Sequence, residues 1–137
     1  MEPRRFRKGR DYEALEKSEW LTLEGDCEAS FEKSVPLPSG RCGRIDVLID
    51  TRDGSLTIIE IKSTDWDKIK QHRIRPNALR HIRQVIGYLM HFHERGRDVC
   101  LAVCYPSAPS SSRRRRAIED IFDEKRVQVV WTDERRG

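Results

Sequence analysis

Two stretches, "RIDVLID" (44–50) and "SLTIIEIKS" (55–63), are rich in Ile, Val and Leu with single charged residues among them, and both read as strands. Asp53-Gly54 between them is a hairpin signal. Upstream, "FEKSVPL" (31–37) reads as a short strand and "PSGRCG" (38–43) as a turn. "DYEALEKSEWL" (11–21) predicts a first helix with Asp11 near its N-cap. Residues 1–10 read as a basic flexible arm, and residues 11–137 as a single domain.

Downstream the pattern changes. Residues 64–76 are polar and end at Pro76, which predicts a loop. From Asn77 to about Arg95, Leu79, Ile82, Ile86, Leu89 and Met90 recur at helical spacing, and Gly96 supplies a stop. "DVCLAVCYP" (98–106) reads as a buried strand, followed by a Pro/Ser-rich loop through Ser112. A second amphipathic helix covers 113–126, and "VQVVWTD" (127–133) is a last strand. The order α-β-β-β-α-β-α-β predicts an α/β fold: a mixed sheet with helices on both faces.

The two central strands carry charge where a strand should be burying itself. Glu60 and Lys62 point to one face, while Ile59 and Ile61 point to the other. The plain alternative is a hairpin with one solvated face. Whether Asp46 joins Glu60 depends on register. A turn centred on Asp53 sets position 46 opposite position 60, whereas a two-residue Asp53-Gly54 loop turns Asp46 away. In the first register two carboxylates and an ammonium meet, and the carboxylates repel unless a cation sits between them. Mg²⁺ suits such a site, with Mn²⁺ able to substitute and the Ile61 carbonyl as a further oxygen ligand. A divalent ion activates water and Lys62 can orient it or stabilise transition-state charge, which is the chemistry of phosphodiester hydrolysis.

Charge distribution points to a polyanionic partner. The 137 residues include 27 Lys+Arg against 23 Asp+Glu, a net charge of +4. The basic residues cluster at Arg4–Arg10, Lys68–Arg83 and Arg113–Arg116. Arginines in a first helical turn oppose the helix dipole, so the last run does not serve helix stability. Arg115–Glu119 and Arg116–Asp120 can pair at i,i+4, leaving Arg113 and Arg114 for phosphate. Arg80 and Arg83 are the matching candidates on the preceding helix. No apolar run approaches the roughly 20 residues needed to span a bilayer. The charged N-terminus does not read as a signal peptide, so the expected site of action is cytoplasmic, without a membrane partner. Cys27, Cys42, Cys100 and Cys104 form no CxxC pair and read as reduced. The four histidines have no zinc-like spacing, and His91 and His93 diverge on a helix surface.

Asp46, thirteen intervening residues and then Glu60-Ile61-Lys62 resemble the motif of the PD-(D/E)XK nuclease superfamily, with Ile45 in place of the family's proline. Gln84 and Tyr88 are similar to the Q-x-x-x-Y helix of its RecB-like nucleases, and the likeness spans about residues 11–105. It implies a restriction-endonuclease-like αβββαβ core, a mixed central sheet flanked by helices. It also implies that Asp46 and Glu60 hold the metal, that Lys62 assists the attacking water, and that Gln84 and Tyr88 support the site. At about 100° per residue these two lie nearly opposite the Leu79/Ile86/Met90 stripe, on a polar face flanked by Asn77 and His81. No histidine precedes His72, so Glu16, beside Glu13 and Glu19, stands in for the RecB-like upstream histidine. The implied activity is metal-dependent cleavage of nucleic acid, DNA favoured over RNA. The alternatives are an RNA- or tRNA-cleaving bacterial toxin domain and a non-catalytic binding module of the same fold. The chain also resembles polymorphic-toxin nuclease domains, which would imply delivery within a larger secreted protein and an acidic immunity or inhibitor protein as partner.

Overall fold

The computed structural model describes residues 27–36, 42–51, 54–93, 96 and 98–136. The expected basic arm, and the expected first helix with Glu16, lie outside the described residues. Five strands form one sheet in the order β1-β2-β3-β4-β5: Cys27–Pro36, Cys42–Thr51, Ser55–Ile61, Asp98–Tyr105 and Gln128–Trp131. The first three meander antiparallel, while β4 and β5 add parallel to β3. The mixed α/β sheet is therefore the expected one. Its strand β1 begins four residues earlier than the "FEKSVPL" pattern suggested.

Helix α1 spans Ile74–His93, α2 Ser112–Glu124 and α3 Thr132–Arg136. Helix α1 connects β3 to β4 and α2 connects β4 to β5, both advancing the same way across the sheet. Right-handed crossovers that advance in one direction put both helices on the same face. Their apolar residues, Ile74, Ala78, Ile82, Val85 and Phe92 from α1 and Ile118, Ile121 and Phe122 from α2, accordingly join one core with Leu48, Leu56, Ile58, Leu101 and Val103. The opposite sheet face carries a separate buried set: Val47, Ile49, Ile59, Ile61, Ala102 and Cys104.

The loop expected over 64–76 is more ordered than its polarity suggested. Trp66–Lys68 and Gln71–Arg73 are two 3₁₀ turns, the first capped by the Asp65 side chain, which accepts from the Asp67 N–H at 3.1 Å. Trp66 is buried at 1% exposure and anchors this segment against the core. Helix α1 also starts three residues early, before Pro76. A first-turn proline is tolerated because its missing N–H would have no helical partner there. The proline starts the helix instead of blocking it. Gly96, at φ +73, follows the helix in the left-handed conformation typical of helix stops.

Candidate active site

β2 ends at Thr51 and β3 begins at Ser55, so the hairpin uses the three-residue connection, with Gly54 at φ +93. The pairs Asp50↔Leu56, Ile49↔Thr57, Leu48↔Ile58 and Val47↔Ile59 are symmetric about position 53. This register sets Asp46 level with Glu60. Beyond Val47 and Ile59 the strands fork: β2 stays paired with β1 as far as Cys42, and β3 stays paired with β4 through Ile61. Side chains satisfy the backbone groups freed at the fork. The Ile61 N–H donates to Asp46 Oδ2 at 2.9 Å, and the Tyr88 hydroxyl donates to the Arg44 carbonyl at 2.8 Å.

A cavity of about 450 Å³ opens at the fork, lined by Asp46, Glu60, Ile61, Lys62, Gln84 and Tyr88, with Gly43 and Arg44 on the β2 side. The solvated-face hairpin is excluded by burial: Asp46 is 8% exposed and Glu60 2%. Gln84 bridges the other two charged groups. Its Nε2 donates to Glu60 Oε2 at 3.2 Å, and its Oε1 accepts from Lys62 Nζ at 2.6 Å. Lys62 Nζ lies 4.0 Å from Glu60 Oε2, and the Lys62 backbone N–H is tied to the Cys104 carbonyl at 2.9 Å.

Burial pushes the Glu60 carboxyl up from 4.5 to about 8, Asp46 raises it further, and Lys62 pulls it partway back. Glu60 Oε1 is buried with no hydrogen-bond partner among the described residues. Two buried carboxylates with one orphaned oxygen are short of positive charge and of a donor. A small hard cation fits that deficit. Among the described residues no three His, Cys, Asp or Glu side chains converge. The side chains lining the cavity offer two carboxylates, oxygen donors of the kind Mg²⁺ takes, and no histidine or cysteine of the kind zinc takes.

Other sequence expectations need correction. Asn77 and His81 do not flank a polar face at the site: both are buried, and neither lines the cavity. The buried stripe of α1 is centred on Ala78, Ile82, Val85 and Phe92, while Leu79, Ile86 and Leu89 are only partly buried. Rotating the stripe this way takes Asn77 and His81 inward. His81 Nδ1 meets the Tyr105 hydroxyl at 2.7 Å, within an aromatic group that includes Trp66. Tyr88 is itself buried but lines the cavity, its hydroxyl donating to the Arg44 carbonyl. Nor does Arg114 remain available. Its guanidinium Nη1 donates to the carbonyls of Trp66 and Ile69, each at 2.8 Å, tying α2 to the 3₁₀ segment. Arg115 pairs with Glu119 at 3.4 Å as expected, and also with Glu134. Arg80, Arg83 and Arg113 are exposed.

Burial, with smaller contributions from Lys62 and Arg80, pushes His81 down from 6.5 to about 3. Below pH 6.5 the unfolded chain takes up a proton that the folded one refuses, so stability falls as the pH drops from 6.5 toward 3. Urea unfolding of wild type and His81→Gln should therefore diverge in slope across that window, the variant losing less. Parallel profiles would mean that His81 is not held neutral.

No family model matches the chain, and no curated protein sequence matches it. The fold is found in the crystal structure of a repair endonuclease from Pyrococcus abyssi, at TM-score 0.55 and 18% identity over 89% of this chain and 46% of that one. It is also found in the structure of a complex of EndoMS with dsDNA, at TM-score 0.54 and 18% identity over 89% of this chain and 43% of that one. The chain therefore spans less than half the length of either of these proteins. At this identity the likeness is one of fold.

Proposed function

We propose that the chain is a metal-dependent nuclease of the PD-(D/E)XK type that hydrolyses phosphodiester bonds, with DNA as its substrate. One observation carries the reading: the forked strands bring the buried Asp46 and Glu60 carboxylates into one cavity with Lys62, and Glu60 Oε1 has no donor among the described residues. Asp46, Glu60 and the Ile61 carbonyl would hold Mg²⁺ or Mn²⁺, which when bound supplies charge neutralisation at the phosphate and a more acidic water. Lys62, steered by Gln84, orients the attacking water and stabilises negative charge gathering on the phosphoryl oxygens. Gln84 also fixes the Glu60 carboxylate, so one side chain sets the relative position of the metal-holding carboxylate and the Lys62 ammonium. The exposed Arg80, Arg83 and Arg113 are the proposed contacts to flanking phosphates. The shared fold with a repair endonuclease and with a dsDNA-bound protein supports DNA over RNA.

The test is incubation of the purified chain with duplex DNA, single-stranded DNA and tRNA, with Mg²⁺ or Mn²⁺ and with EDTA. DNA cleavage that EDTA abolishes is the expected result. Cleavage of tRNA alone would move the substrate to RNA. Binding without any cleavage in either metal would leave a non-catalytic module of the same fold.

A further inference from the structure

The cavity at the fork gathers two cations as well as two acids. Arg44 lies two residues before Asp46 on β2, and Lys62 lies two residues after Glu60, just past the end of β3. Its walls thus step from an acidic pair, buried, to a basic pair, where Arg44 is exposed and the Lys62 side chain is 24% exposed. The ammonium of Lys62 is already committed to Gln84 Oε1 and lies near Glu60. A phosphodiester that places its reacting phosphorus at the acidic pair must set further anionic oxygens against the basic pair. An arginine there offers a planar fork of donors matched to phosphate.

The backbone of Arg44 is also held in a specific way. Its carbonyl no longer has a β3 partner at the fork, and accepts instead from the Tyr88 hydroxyl at 2.8 Å. Tyr88 is buried at 3% exposure, so it is a rigid post reaching from α1 to β2. We propose that Arg44 binds a non-bridging phosphate oxygen of the substrate, and that Tyr88 is a positioning residue acting on it through this carbonyl. The assignment rests on the nuclease reading for its substrate, but its test separates the two.

The probe is a fluorescein-labelled duplex DNA. Its binding is followed by anisotropy over a salt series with Ca²⁺ replacing Mg²⁺, and its cleavage by steady-state kinetics in Mg²⁺. Arg44→Ala should lower the salt slope of binding by about one and raise KM by about tenfold or more. Arg44→Lys should keep the slope while recovering only part of the KM. Tyr88→Phe should raise KM in the wild-type background but add nothing to Arg44→Ala, since both changes remove one contact. An unchanged slope and KM in Arg44→Ala, in a wild type that cleaves, would overturn the phosphate contact. Additive effects of the two substitutions would overturn the positioning role of Tyr88. A wild type that binds with an Arg44-dependent slope but never cleaves would keep the contact and refute the nuclease. Absence of any DNA binding would refute both.

Discussion

Glu60→Gln should abolish cleavage and, in EDTA above pH 8, make the protein harder to unfold than the wild type. The two effects share one cause. In the metal-free protein the Glu60 carboxyl is buried against Asp46, so its pKa is pushed from 4.5 to about 8, burial being the larger influence. The folded state therefore binds this proton more tightly than the unfolded state does. Stability from this group is present in full below pH 4.5 and is lost as the pH rises through about 8. A tenfold difference in proton affinity between the two states is worth about 1.4 kcal/mol, so the loss amounts to several kcal/mol. Glutamine keeps the volume, removes the charge and brings an amide that can donate to Asp46. Thermal melts in EDTA should coincide for the two proteins below pH 4.5 and separate above pH 8. Adding Mg²⁺ or Mn²⁺ should raise the wild-type melting temperature by mass action and leave the variant unmoved. A variant that cleaves at the wild-type rate would end the assignment. So would a wild type whose melting ignores both metal and pH.

Alternation along a strand is a local property, and for that reason Glu60 and Lys62 were legible as a pair from their spacing alone. Whether Asp46 faced them was not, because a two-residue and a three-residue turn fit the same letters and differ by one step of register. What decides it is the length of the connection between Thr51 and Ser55 and the fork beyond Val47 and Ile59, neither of which has a compositional signature. Helix α1 fails in a similar way. Weighting Leu79, Ile86 and Met90 as apolar put the stripe about one residue off, because Ala78 and Tyr88 add little to a hydrophobic pattern yet sit inside. His81 and Asn77 then looked polar and available. They are core residues, His81 with a hydrogen-bond partner in Tyr105, a contact between positions 24 residues apart. Trp66, with Ile69 and Ile74, was the signal that the otherwise polar stretch 64–76 was anchored, since these are the large apolar residues it has to offer a core. Arg114 left no such signal. Its partners are main-chain carbonyls of irregular structure, and these are invisible in a sequence.

Asp46 should behave differently according to how it is removed. Its carboxylate has two tasks: it is a proposed metal ligand, and its Oδ2 accepts from the Ile61 N–H at 2.9 Å where β3 has left β2. Asp46→Asn keeps an acceptor for that N–H and loses the charge, so the protein should stay folded while cleavage falls to background and metal no longer raises the melting temperature. Asp46→Ala deletes the acceptor as well. The Ile61 N–H is then buried at the strand end without a partner, at a cost of about 1–3 kcal/mol. Relief of repulsion with Glu60 works the other way, since without Asp46 the Glu60 pKa drops from about 8 toward its ordinary value. The sign of the net change thus depends on pH. Near pH 4.5, where Glu60 is largely protonated in the folded wild type, the lost hydrogen bond dominates and Asp46→Ala should be the less stable protein. Above pH 8 the relieved repulsion offsets that loss, and the gap to wild type should narrow or invert. Urea unfolding of the three proteins in EDTA at both ends of this range is the measurement. A pH-independent difference between Asp46→Ala and wild type would mean that the carboxylates do not sense each other. The metal-binding reading would then lose the charge deficit on which it stands.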